Sequence, residues 1–185
     1  MTLFGDGLER AVERSFTRPI PKSAGAQMRY LVRQLKGTRA AAELLRVSQR
    51  TVERYVRNQI RTPRPDLAGR LKAEVRKRWQ PHVRARARRR AATTDGIVID
   101  TRARIGYTAP IGTTDDARLR HLTVALPPQH AARLLDAQQQ SAEDQLLQEI
   151  AAEALREVYF QDNGHRAGSL AEVRFTDIEY VDFEL

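Results

Sequence analysis

Apolar and small residues recur at helical spacing through the first half of the chain. Leu8, Ala11, Val12 and Phe16 share one face of a helix over 8–16, and Met28, Leu31, Val32 and Leu35 one face of a second over 23–35. Arg18-Pro19-Ile20-Pro21 breaks the pattern between them, and Gly37 is placed to end the second helix. Residues 38–58 then read as two short helices, with Ala41, Ala42, Leu45, Val47, Val52 and Tyr55 falling where the pair must meet. Thr38 and Ser48 are the predicted N-caps. Arg46 occupies the turn position where a positive φ usually calls for glycine. Pro63 and Pro65 mark a turn, Asp66 is placed to cap a helix running to Trp79, and a further helix follows Pro81 over 82–92.

The pattern changes after Thr94-Asp95-Gly96, which reads as a linker. Ile97-Val98-Ile99, 104–108 and 121–126 are strand-like, with 109–116 a loop between the second and third. Pro127-Pro128 stops the third strand. Helices follow over 129–139 and 143–160, the latter capped by Ser141, and Val173 to Phe183 alternates as a strand or bulged pair would. The predicted fold class is α+β. An all-helical domain over 1–92, with a helix-turn-helix at 38–58, precedes a smaller α+β domain over 93–185 with three to five strands and two helices.

Charge sharpens this division. Of the 32 Lys+Arg and 23 Asp+Glu in 185 residues, 24 and 7 lie in 1–92, a formal net charge of +17. The remaining 8 and 16 give −8 over 93–185. A basic half beside an acidic half predicts two domains with different partners, the first attracting nucleic acid and the second repelling it unless a protein or metal ion intervenes. The second helix of the motif would present Gln49, Arg50, Thr51, Glu53, Arg54 and Arg57 to a major groove, with all but Glu53 as DNA contacts. The run Arg84, Arg86, Arg88, Arg89, Arg90 is a second phosphate-binding candidate, with a solvated charged face as the plain alternative.

Other chemistry is thin. The chain has no cysteine, which excludes disulfides, thiolate nucleophiles and cysteine-ligated metals. His82, His121, His130 and His165 lack metal-ligand spacing, and no phosphate loop, dinucleotide fingerprint or nucleophile elbow occurs. No metal site or cofactor of its own is expected. There is no apolar run of transmembrane length, and MTLFGDGLERAVERSF has no signal-peptide pattern, so no membrane partner and a cytoplasmic location are expected. In 109–116, Thr113 and Thr114 stand between Gly112 and Asp115-Asp116; on composition alone this is a turn followed by an N-cap.

Longer stretches carry a resemblance. LFGDGLERAVER, RPIPKSAGAQMRYLVRQLKGTRAAAELLRVSQRTVERYV, RPRPDLA, RWQP, GYTAPIGTTDDARLRHLTVALPP and EVYFQD with RFTDIE make the chain similar, over nearly its whole length, to the telomere terminal proteins of linear Streptomyces-type chromosomes and plasmids. The resemblance implies a DNA-binding protein, nucleoid-associated at chromosome ends. Such a protein primes end replication and stays covalently linked to the 5′ end. It implies that the priming hydroxyl, in the GTT segment, is that of Thr114, with Thr113 its rival. It also implies telomeric DNA, as 3′ overhang or terminal duplex, a DNA polymerase and a telomere-associated protein as partners. In that reading the loop 109–116 is the primer, the Mg²⁺ ions belong to the polymerase, and the chain is an acceptor substrate rather than an enzyme. The runner-up is a helix-turn-helix transcriptional regulator; a DNA-cleaving enzyme is a third possibility.

Overall fold

The structure, a computed structural model, describes residues 2–108, 114–165, 170 and 172–185, with 114–116 as backbone only. It is a mixed α+β fold. The helices are α1 (Leu3–Arg14), α2 (Ala24–Gln34), α3 (Thr38–Leu45), α4 (Gln49–Val56), α5 (Pro65–Arg78), α6 (Pro81–Arg90), α7 (Pro128–Gln139) and α8 (Asp144–Leu155). The strands β1 (Ile97–Thr108), β2 (Thr114–Leu126) and β3 (Glu172–Glu184) form one antiparallel sheet in the order β2-β1-β3.

Two compact units divide the chain, and the boundary is not the one that charge predicts. Residues 17–81 form one unit; residues 1–16 and 82–185 form the other. The first and sixth helices therefore belong with the sheet, and 94–96 is no interdomain linker. Side-chain pairing gives the reason. Arg84 of α6 makes a two-pronged contact with Glu9 of α1 at 2.9 and 2.7 Å. Arg88 of α6 donates to Leu135 O at 3.3 Å and to Gln138 Oε1 at 2.7 Å, both on α7. After α6 the chain makes one wide turn over 91–95 and enters β1 through Gly96, whose φ is +74°. A Cβ there would lie 2.2 Å from Leu126 O, so only glycine lets β1 start this close to the end of β2.

In the sheet unit, period-two alternation buries one face of β1, with Ile97, Ile99, Thr101, Ala103 and Ile105 inward. Leu122, Leu126, Val173, Phe175, Val181 and Phe183 extend that face, and Phe4, Leu8, Leu134, Leu147 and Leu155 cover it. β1 is one continuous strand where the sequence suggests two, because 100–104 alternates polar and small residues that hide the period. Helix α1 starts earlier than its apolar stripe predicts. The Asp144 carboxylate of α8 accepts the backbone N–H groups of Phe4 and Gly5 at 3.3 and 2.9 Å, capping the helix from a distant segment. The outer edge of β3 is satisfied by side chains: Arg10 and Arg14 donate to Val181 O and Phe183 O, and Gln148 donates to Phe175 O.

The unit over 17–81 holds its own core of Met28, Leu31, Ala41, Ala42, Leu45, Val52, Tyr55, Leu71 and Val75. Some caps differ from prediction. Gly37, not Thr38, precedes α3, and its backbone is extended; the left-handed residue that closes α2 is Lys36 at φ 57°. Arg64 rather than Asp66 precedes α5, because Pro65 starts the helix. In the sheet unit Ser141 has φ 58° and does not cap α8.

Candidate nucleic-acid interface

Helices α3 and α4 are joined by Arg46, Val47 and Ser48. Arg46 takes the left-handed conformation (φ 53°, ψ 50°) that its place in the turn predicts, without the glycine that would adopt it freely. Ser48 caps α4, accepting the N–H of Thr51 at 3.2 Å. Val52 and Tyr55 anchor α4 in the core. Its other side then faces solvent.

Gln49, Arg50, Arg54 and Arg57 are exposed on that side, and the three arginines follow one another at helical spacing. Arg50, Glu53, Arg54, Arg57 and Gln59 line a polar depression of about 530 Å³. Glu53 accepts a hydrogen bond from Gln49 at 3.0 Å, and no carboxylate pairs with Arg50, Arg54 or Arg57 among the described residues. Thr51 is half-buried, its hydroxyl 2.9 Å from that of Ser48, so it serves the turn rather than the open face. Two arginines hold the helix ends through contacts invisible in the sequence. Arg70 donates to Leu45 O at 3.2 Å, and Arg29 to Val56 O and Asn58 Oδ1 at 3.1 and 3.0 Å. The unit carries 17 Lys+Arg against 4 Asp+Glu, a formal net charge of +13.

The arginine run divides. Arg84 and Arg88 keep 17% and 11% of their side-chain surface, against 25% for the Glu9 that faces both. They are packing and pairing groups, which stands against the phosphate-contact role the sequence suggests for them. Arg86, Arg89 and Arg90 are exposed, and Arg90 pairs with Asp95 at 2.7 Å. A helical run of arginines places i and i+4 on one face, and that face here is the one turned to α1 and α7.

Of the loop 109–116, residues 109–113, including Thr113, lie outside the described residues. Residues 114–116 belong to a strand, not a loop. Thr114 is the first residue of β2, its Cα paired with that of Thr108 at the end of β1.

The polar face of the sheet bears a cluster that the sequence did not signal. Asp100 Oδ1 accepts the Thr123 hydroxyl at 2.8 Å and lies 3.2 Å from His121 Nε2. Tyr180 Oη is 2.7 Å from His121 Nε2 and 3.2 Å from Asp100 Oδ2. The Thr123 hydrogen bond, with those from Tyr180 and His121, holds the Asp100 carboxyl below its ordinary range. The three strands contribute one residue or more each, so only the register brings the cluster together. Among the described residues no group of three or more His, Cys, Asp or Glu is arranged to hold a metal ion, and no helix is long and apolar enough to cross a membrane. Compared with protein-family models, curated proteins and solved structures, the chain gives no match.

Proposed function

We propose that this chain is a DNA-binding terminal protein that primes replication at the ends of linear DNA and remains linked to the 5′ end. The sequence resemblance around GTTDD carries the reading. The position of Thr114, at the head of β2 where the β1–β2 connection ends, supports it. The Thr114 hydroxyl attacks the α-phosphorus of a deoxynucleotide in a polymerase active site. An Oγ–P bond forms, the bond to pyrophosphate breaks, and the polymerase supplies the metal ions and the general base. The chain supplies reach and position, because Thr114 begins β2 at the β1–β2 end of the sheet.

The +13 unit is the DNA-holding part of this reading. Helix α4 acts as the second helix of a helix-turn-helix, with Gln49, Arg50, Arg54 and Arg57 toward the DNA. Arg86, Arg89 and Arg90 add phosphate contacts. The acidic surface of the other unit is the side for the polymerase and a telomere-associated protein. Thr114→Ala should abolish polymerase-dependent deoxynucleotidylation and leave DNA affinity unchanged; full labelling of that variant would refute the site. The second reading, a transcriptional regulator, is favoured by the α3–α4 pair alone. It requires protection of a palindromic duplex with half-sites about one helical turn apart.

A further inference from the structure

Strand β3 is an edge of the sheet, and its cover is uneven. Toward residue 184, Arg10 and Arg14 of α1 donate to Val181 O and Phe183 O. Toward residue 172 the cover thins to one side-chain amide: Gln148 of α8 donates to Phe175 O at 3.1 Å. Among the described residues no backbone group pairs with the outer edge over 172–176. The Gln148 amide stands where the N–H of a neighbouring strand would stand. Val173 lies two residues before Phe175 with no bulge between them, so its N–H and C=O turn to the same edge.

A trough of about 760 Å³ runs between this edge and α8. Its strand wall is Glu172 to Thr176, and its helix wall is the stripe of α8 that recurs every three or four positions from Asp144 to Arg156. The walls match in length: the strand wall reaches about 16 Å, and the helix wall about 18 Å. Ala152, Val173 and Phe175 line the trough with apolar surface. A cleft with a strand edge on one side and a helix on the other fits one more strand, paired through its backbone and read through alternate side chains.

Charge selects the strand. Asp144, Glu149, Glu153 and Glu172 line the trough against the guanidiniums of Arg156 and Arg174, an excess of two carboxylates. Arg174 pairs with Glu172 at 3.8 Å, and Arg156 with Glu157 at 3.6 Å. Glu149 is exposed and takes a neutral amide, that of Gln145 at 3.2 Å. We propose that this trough binds an extended, basic segment of a partner protein as a fourth strand of the sheet. Two apolar residues of the segment lie opposite Val173 and Phe175 and exchange backbone hydrogen bonds with them, displacing the Gln148 amide. The residue between them, opposite Arg174, is uncharged. The flanking residues are Lys or Arg, one opposite Glu172 and the other toward the carboxylates of α8. Nucleic acid and acidic strands are repelled by the same carboxylates.

The proposal needs neither Thr114 nor DNA, so it and the priming role fail separately. The test titrates the full chain with the capped peptide Arg-Val-Thr-Val-Arg and follows backbone amides by NMR. The expected result is saturable shifts confined to 172–176 and 144–156, with slowed hydrogen exchange at the Val173 and Phe175 amides. The same peptide N-methylated at both valines keeps the charge and loses the pairing donors, and should not bind. Glu-Val-Thr-Val-Glu should bind at least roughly tenfold more weakly. Val173→Pro removes the outward N–H and leaves the β1 side of the ladder intact, so it should abolish binding. Glu149→Lys, on the exposed side of α8, is the variant that leaves the fold alone; it should weaken the basic peptide roughly tenfold with an unchanged urea midpoint. Equal binding of the N-methylated peptide overturns the proposal. So does saturation with the Val173 and Phe175 amides unprotected, or the absence of any saturable shift over 172–176.

Discussion

Glu9, Arg46 and Asp100 show how single side chains set local behaviour. Glu9 is the shared partner of two guanidiniums that keep little surface. Glu9→Ala leaves both cations without their carboxylate in a partly desolvated place. The expected cost is about 3 kcal/mol, read as a lower urea midpoint with an unchanged slope. Arg86→Ala and Arg89→Ala, on the exposed face of the same helix, should leave that midpoint where it is and weaken DNA binding. Arg46→Gly should stabilise the chain by roughly 0.5 kcal/mol: relief of the left-handed conformation outweighs the added freedom of the unfolded chain. The Asp100 carboxyl titrates below the usual aspartate value in the folded state. Its stabilising effect is therefore present above the unfolded value, near pH ~3.9, and is lost as pH falls through the lowered folded value. Thr123→Val, which deletes the leading hydrogen bond, should move the carboxyl resonance midpoint back up in an NMR titration.

The helices and strands were legible in the sequence to different degrees, for physical reasons. Helices α2 to α4 carry strong apolar stripes and sit, with α5, in a small core of their own, so their periodicity reports their burial directly. The Ser48 cap and the left-handed Arg46 followed from turn chemistry alone. Helix α1 exceeds its apolar stripe because Asp144 caps it from across the chain, a contact with no local signature. All five arginines of the run read alike as phosphate-binding candidates because charge alone does not say which helix face meets a neighbour; Glu9 decides it. β1 reads as two strands in the sequence because Thr101, buried and donating its hydroxyl to Tyr180 O at 2.9 Å, breaks the apolar alternation. Gly96 marks where a strand begins rather than where domains join. Gly96→Ala combines a forbidden φ with a backbone clash and should destabilise by about 3 kcal/mol. In helix α4, each of Arg50→Ala, Arg54→Ala and Arg57→Ala should reduce the slope of log affinity against log salt by about 0.9 if that side chain meets a phosphate. An unchanged slope for all three would remove α4 from the interface.

Charge and packing divide the chain at different places. Charge changes sign after residue 92, whereas the compact units change at 16/17 and 81/82. The basic unit lies between two segments that both belong to the sheet unit, so the chain crosses between units twice. The cross-strand cluster of Asp100, His121 and Tyr180 could not be read in advance, since it depends on a register with two bulges between β1 and β3. Thr114 is singled out only by the proposed resemblance, and by composition alone its segment reads as an ordinary turn. The priming role is tested most directly on protein recovered from nuclease-digested cellular DNA. Trypsin releases residues 105–118 as one peptide. The account predicts that this peptide carries a nucleotide on the Thr114 hydroxyl. Recovery of the whole chain from DNA ends with Thr114 unmodified would contradict it.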